Sequence, residues 1–267
     1  MSAKELFDAG NLAGAIEQVT QDVKANPRDV KSRIFLFEML CFAGELQRAE
    51  RQLDAVAQTS GDVKVEIGVE LYRSALKAES ARRSFFAGAS RTPKFFAEPP
   101  AYTALHIEAA AKLHAKQLDE MEKLLDDSAE ARGPLSGRCA GKVFGDFHDG
   151  DDLLSPFLEV FFQGDYYWLP LEQVSRIDIA PPRTLRDLLW TPTKVDLHNR
   201  PAGDVLIPAQ YHGSHSHGDD LIKLGRMTDW KSVGNGTLLG LGQRTFYADD
   251  IEYPLLEIRA IEFTSAS

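Results

Sequence analysis

The 267-residue chain lacks the features that would tie it to a membrane, an oxidising compartment or a nucleic acid. No apolar run approaches the ~20 residues that a membrane-spanning helix needs. Met1 to Asp8 carries acids and no apolar stretch, unlike a secretory signal. Only Cys41 and Cys139 are present, each among apolar neighbours and neither in a Cys-x-x-Cys pair, so two buried, reduced thiols are expected. Net charge is −10 and both halves are acidic. Lys and Arg do not cluster beyond Arg82-Arg83, which argues against nucleic acid as a partner. No Gly-x-Ser-x-Gly elbow, Walker A loop or dinucleotide fingerprint occurs. These absences suit the cytoplasm.

What is present is ordinary globular composition, 43% apolar and 26% charged, at a length comfortable for two domains. The first half repeats. Leu6, Gly10, Leu12, Ala15 and Pro27 recur 34 positions later as Leu40, Gly44, Leu46, Ala49 and Gly61. That period belongs to tetratricopeptide-type helix–turn–helix units. Glycine suits the turn, alanine lets two helices approach, and Pro27 ends a helix. A third unit is degenerate. Val65 to Ala81 reads as a helix with an apolar stripe of Ile67, Leu71, Ala75 and Ala78, but Arg83 stands where a small residue belongs. Arg91 to Pro100 is an interruption with three prolines, Pro93, Pro99 and Pro100. A last helix pair is predicted over 101–114 and 118–131, with Leu118 and Met121 in the places of Leu12 and Ala15. Stacked repeats leave a concave groove. The repeat directs Lys4, Phe7, Asp8, Lys31, Ile34, Glu38, Cys41, Val65 and Tyr72 toward it, as candidate partner-binding residues.

After Arg138 glycine, aromatic and β-branched residues rise and strand periodicity begins. Strands are predicted at 158–162, 166–169, 174–179, 205–211, 221–225, 237–247 and 255–263, with a hairpin at Gln163-Gly164-Asp165 and a short helix over 184–189. The expected architecture is α+β: helical hairpin repeats over 1–135, then a β-rich antiparallel sheet or barrel-like domain over 138–267, as two folding units. Trp168, Trp190 and Trp230 need partners for ring face and N–H. Arg186, Asp187, Arg226, Asp229 and Arg244 are expected to pair across strands.

Five motifs in order, LEVF at 158–161, YYWLP at 166–170, RDLLW at 186–190, LGRMTDW at 224–230 and GQRTF at 242–246, resemble the ImpE family, also called TagJ. The resemblance runs over nearly the whole chain. It implies a helical-repeat domain followed by a β-rich domain, and an accessory role in type VI secretion. It further implies two partners: the small subunit of the contractile sheath, met through a helical segment, and the AAA+ ATPase that disassembles the sheath. It carries no catalytic residues and no cofactor.

Two constellations compete with that reading. His212, His215, His217, Asp219 and Asp220 could hold Zn²⁺, but the Gly/Ser-rich string HGSHSHGDD reads more simply as a solvated loop. Asp146, His148, Asp149, Asp151 and Asp152 lack calcium-loop spacing and are expected to form a solvated turn. The expected function is a non-catalytic adaptor linking sheath to ATPase, with no metal and no membrane contact. The alternatives are a metal-dependent enzyme using 212–220, or a scaffold without ATPase contact.

Overall fold

A computed structural model describes residues 1–89 and 92–264. Seven α-helices come first among the described residues: α1 (Ala3–Asp8), α2 (Leu12–Ala25), α3 (Val30–Phe42), α4 (Leu46–Ser60), α5 (Val63–Phe86), α6 (Tyr102–His114) and α7 (Leu118–Ala131). Strands follow: β1 (Gly137–Cys139), β2 (Lys142–Phe144), β3 (Phe147–Asp149), β4 (Phe157–Phe162), β5 (Asp165–Pro170), β6 (Val174–Ile179), β7 (Trp190–Leu197) and β8 (Pro201–Pro208). A one-turn helix, α8 (Asp220–Lys223), precedes β9 (Thr228–Val233), β10 (Thr237–Gly242), β11 (Thr245–Ala248), β12 (Ile251–Pro254) and β13 (Ala260–Phe263).

The repeat's glycines do what the pattern requires. Gly10 (φ +80°) and Gly44 (φ +76°) close α1 and α3 in the left-handed region, where a Cβ is disfavoured. Ala15, Ala49 and Met121 are buried where paired helices touch. The third unit departs from the pattern because its turn position is Ala78, not glycine. The helix runs on as α5, 24 residues long, and only Gly88 (φ +78°) follows it with left-handed geometry. In the last pair Lys116 takes the turn conformation itself, at φ +59°. Of the interruption over 91–100, Arg91 lies outside the described residues. Its remainder is partly used: Lys94 adds to the β5 edge, its N–H donating to the Tyr166 carbonyl (2.9 Å) and its carbonyl accepting from Trp168 N–H (3.1 Å). That covers a strand edge that would otherwise invite pairing with another chain.

Eight strands form one antiparallel sheet in the order β2-β1-β13-β6-β7-β8-β4-β5. It stays open, with β2 and β5 as edges, so it is a sheet and not a barrel. Side chains alternate between two cores. Phe157, Phe161, Trp168 and Trp190 face the helices and join their core, while Leu158, Val160, Val195 and Ile207 face a second core shared with β3 and β11. The first core therefore runs across the change from helix to strand at 132–136.

Several strand expectations need correction. Residues 221–225 are not a strand. Asp219 accepts a hydrogen bond from Leu221 N–H (2.8 Å) and caps α8 instead. The stretch 237–247 breaks after Gly242 (φ +85°) into β10 and β11, which belong to different sheets. Residues 255–263 open with a 3-10 turn, Leu255–Glu257, before β13. The strand expected at 205–211 runs from Pro201 to Pro208. The helix expected over 184–189 is a 3-10 turn, Leu185–Leu188. The hairpin at 163–164 holds, with Gln163 (φ +51°) and Gly164 (φ +79°) as its two turn residues.

Candidate functional site

The two halves meet across a buried network of charges. Arg82 of α5 donates Nε–H to Glu159 Oε1 (2.8 Å) and an NH2 proton to Glu159 Oε2 (2.6 Å). It also donates to the Gln210 carbonyl (3.1 Å). Arg244 closes on Glu159 from the other side and on Asp149, and Tyr166 donates its hydroxyl proton to Glu159. Burial alone would raise the Glu159 pKa. Arg82 and Arg244 outweigh it and hold the carboxylate ionised, well below its usual range.

Asp149 is the second hub. It accepts from the Tyr211 hydroxyl (2.7 Å) and from Asp151 N–H (2.9 Å). Asp151 accepts from Gly240 N–H (2.9 Å), and Asp152 from Leu238 N–H (2.6 Å), which pins the β9–β10 hairpin. The acidic stretch expected as a solvated turn is therefore a buried anchor at Asp149 and Asp151. Its short side chains satisfy backbone donors that a turn would otherwise leave unpaired. Sequence reasoning missed Glu159 and Asp149 as a unit, because their partners lie 77 and 95 residues away.

The C-terminal half also reads the repeat's helix ends. Arg226 donates to the Phe7 carbonyl (2.8 Å) and the Asp8 carbonyl (2.9 Å) at the end of α1, with its guanidinium 4.8 Å from the Phe7 ring centre. Asp220 accepts from Leu12 N–H (2.8 Å) at the start of α2. Cation at a C-terminus and anion at an N-terminus both complement the helix dipole. His215 covers Gly44 so closely that a Cβ there would lie 2.2 Å from its ring. Arg83, the residue that breaks the repeat pattern, donates to the Gly44 carbonyl (2.7 Å).

The nine groove candidates fall into three groups. Lys4, Asp8 and Lys31 are exposed, with Lys4 paired to Asp8. Ile34, Val65 and Tyr72 are half-buried, and Phe7, Glu38 and Cys41 are buried. Tyr72 stacks on Trp190 (6.4 Å between centres) and lies under the Arg186 guanidinium (4.5 Å). Arg186 Nε is 3.2 Å from Glu38 Oε1 but poorly aligned for a hydrogen bond. Burial, opposed by Arg186, therefore raises the Glu38 pKa to about 7. Phe7, Glu38 and Tyr72 are thus engaged by the chain's own second half. Of the charges expected to pair across strands, Arg186 and Arg226 reach the helical half instead, while Arg244 pairs with Asp149 and Glu159 of the strands.

The histidine cluster does not converge. His212 stacks on Phe86 (4.4 Å), His215 lies on Gly44, and His217 Nε2 is 3.5 Å from Asp229. Asp219 and Asp220 cap helices. Among the described residues no group of three or more His, Cys, Asp or Glu could hold a metal ion. A polar recess of about 420 Å³ lies between α7 and the β9–β10 hairpin, lined by His106, Glu122, Arg132 and Asp152 among others. Both ring nitrogens of His106 are engaged there, by the Leu153 carbonyl (2.8 Å) and the Ser128 hydroxyl (2.7 Å). Burial lowers its pKa to about 4.

The pattern of the ImpE protein family matches residues 141–262. The type VI secretion system accessory component TagJ of Pseudomonas aeruginosa is 35% identical over 264 residues, covering 98% of this chain and 91% of that protein. The chain belongs to the ImpE/TagJ family. By homology it is a type VI secretion accessory component. The crystal structure of protein VPA1032 from Vibrio parahaemolyticus superposes with a TM-score of 0.89 at 24% identity, covering 98% of this chain and 97% of that one. The fold is thus shared with that protein over nearly the whole length of both chains, helices included. Among the described residues, no helix is long and apolar enough to cross a membrane.

Proposed function

We propose that this chain is a non-catalytic adaptor of type VI secretion that binds the small subunit of the contractile sheath through a helical segment and presents it to the AAA+ ATPase. One observation carries the reading. Four titratable side chains are used inward, in the Arg82–Glu159–Arg244–Asp149 network, whereas an open concavity of about 680 Å³ is mainly apolar. An enzyme site collects polar groups with shifted pKa values in a cleft open to substrate. Here Glu159, Asp149 and Asp151 are enclosed and hydrogen-bonded within the protein. A protein-binding surface needs an apolar centre and a polar rim. Belonging to the ImpE/TagJ family supports the secretion context, and the partners come from the family resemblance. The test is co-purification of the tagged chain with the small sheath subunit and, separately, with the ATPase. Capture of both, together with loss of secretion on deletion, supports the adaptor. Capture of the sheath subunit without the ATPase would leave a scaffold.

A further inference from the structure

The apolar stripe of α5 is only half used. Ala75 and Ala78 are buried, but Val63, Ile67 and Leu71 are 66%, 65% and 47% exposed. They lie at i, i+4 and i+8, one above another on the same helix face. Leu71 and Ala75 also form the wall of an open bay of about 680 Å³ whose floor includes Phe161, Leu206 and Pro192. The bay exists because the helix-facing side of the sheet extends past the helical layer. Phe161 and Leu206, paired across β4 and β8, sit at that edge. A continuous apolar surface of this kind marks an interaction site.

We infer that this bay, continued along Val63, Ile67 and Leu71, is the seat of a partner's amphipathic helix with aliphatic anchors and a basic polar face. The inference rests on the adaptor reading and places its helical partner. An extended segment is disfavoured because β4, β6, β7 and β8 all have neighbours on both sides, so no strand edge is open to it. An occupant must bring its own satisfied backbone, as a helix does. A stripe spaced at i and i+4 packs against another helix through ridges and grooves. A second copy of this chain would bring another ten negative charges, whereas a basic partner is drawn in by the net charge of −10. The charged residues lining the bay, Asp178, Lys194 and Asp204, likewise carry one more acid than base.

The experiment titrates the labelled full chain with the purified small sheath subunit and with peptides covering each of its predicted helices. Leu71→Lys and Ile67→Lys should each weaken binding at least tenfold. Val143→Lys and Ile251→Lys, at exposed apolar positions elsewhere, should leave it unchanged. The bound peptide should gain helical circular dichroism, and amide exchange should slow over 63–75 and 201–206. If the subunit binds the wild type and both bay variants equally, the bay is not the seat, and the adaptor reading survives. If the peptide binds without gaining helix, the occupant is wrong. If neither subunit nor peptides bind the wild type, the adaptor reading falls and takes this inference with it.

Discussion

Arg82 of α5 and Glu159 of β4, 77 residues apart, form a two-bonded ion pair that is buried on both sides and joins the helical half of the molecule to the sheet. Such a pair contributes little net stability over an apolar equivalent, but breaking it leaves a charge stranded in the interior.

Arg82→Ala should therefore cost about 3–5 kcal/mol. Chemical denaturation followed by helical circular dichroism and by tryptophan fluorescence, with Trp168 in the shared core, should give one coincident transition that moves with the variant. Two separate transitions would mean that 1–135 and 138–267 are independent units, as the change in periodicity alone suggests.

Glu38 sets a pH dependence. Its folded pKa of about 7 lies above the ordinary carboxyl value of 4.5. The native state therefore holds a proton that the unfolded chain has lost between those values, and stability falls as pH rises through the window. The group's contribution is fully present below about 4.5 and amounts to about 3 kcal/mol at most. Subtracting the Glu38→Gln stability curve from the wild-type curve should isolate a decline between pH 4.5 and 7. A flat difference would place Glu38 at an ordinary pKa.

Gly44→Ala and Gly61→Ala separate backbone strain from the clamp. Both glycines have positive φ, but the space at Gly61 is open whereas His215 fills that at Gly44. Gly61→Ala should cost about 1–2 kcal/mol from left-handed strain alone. Gly44→Ala should add about 1–3 kcal/mol for the collision. His215→Ala should recover part of that extra cost, and equal melting shifts for the two glycine variants would refute the clamp.

Metal removal should change nothing. Prolonged dialysis of untagged protein against a chelator should leave the melting temperature where it was, and elemental analysis should find well under one equivalent of zinc. Stoichiometric metal whose loss unfolds the chain would overturn the scattered placement of His212, His215 and His217.

Local rules made the repeat legible. Gly10, Gly44, Ala15 and Ala49 are each dictated by one turn or one close approach, so spacing alone betrays them. The hairpin at Gln163-Gly164 is equally local. The strand errors have the opposite cause. Residues 221–225 have apolar content that suits either state, and the decision lay with capping by Asp219. Along 237–247, only the requirement that β10 and β11 serve different sheets ends one strand at Gly242. The groove candidates came from treating the helices as a free-standing array. In the folded molecule Phe7, Glu38 and Tyr72 are met by Arg226, Arg186 and Trp190 of the second half.

The sequence by itself determined the helical period, the change to strands near Gly137, the acidic character and the ImpE/TagJ motifs, because each depends on neighbours a few residues apart or on composition. Only the tertiary structure decided which charges are buried together, that the repeat's helix ends are covered by 215–226, and that Ile67 and Leu71 are left exposed above an apolar bay. Those outcomes depend on contacts between residues tens to hundreds of positions apart. Helical periodicity makes a stripe apolar without saying which part of it another layer will cover.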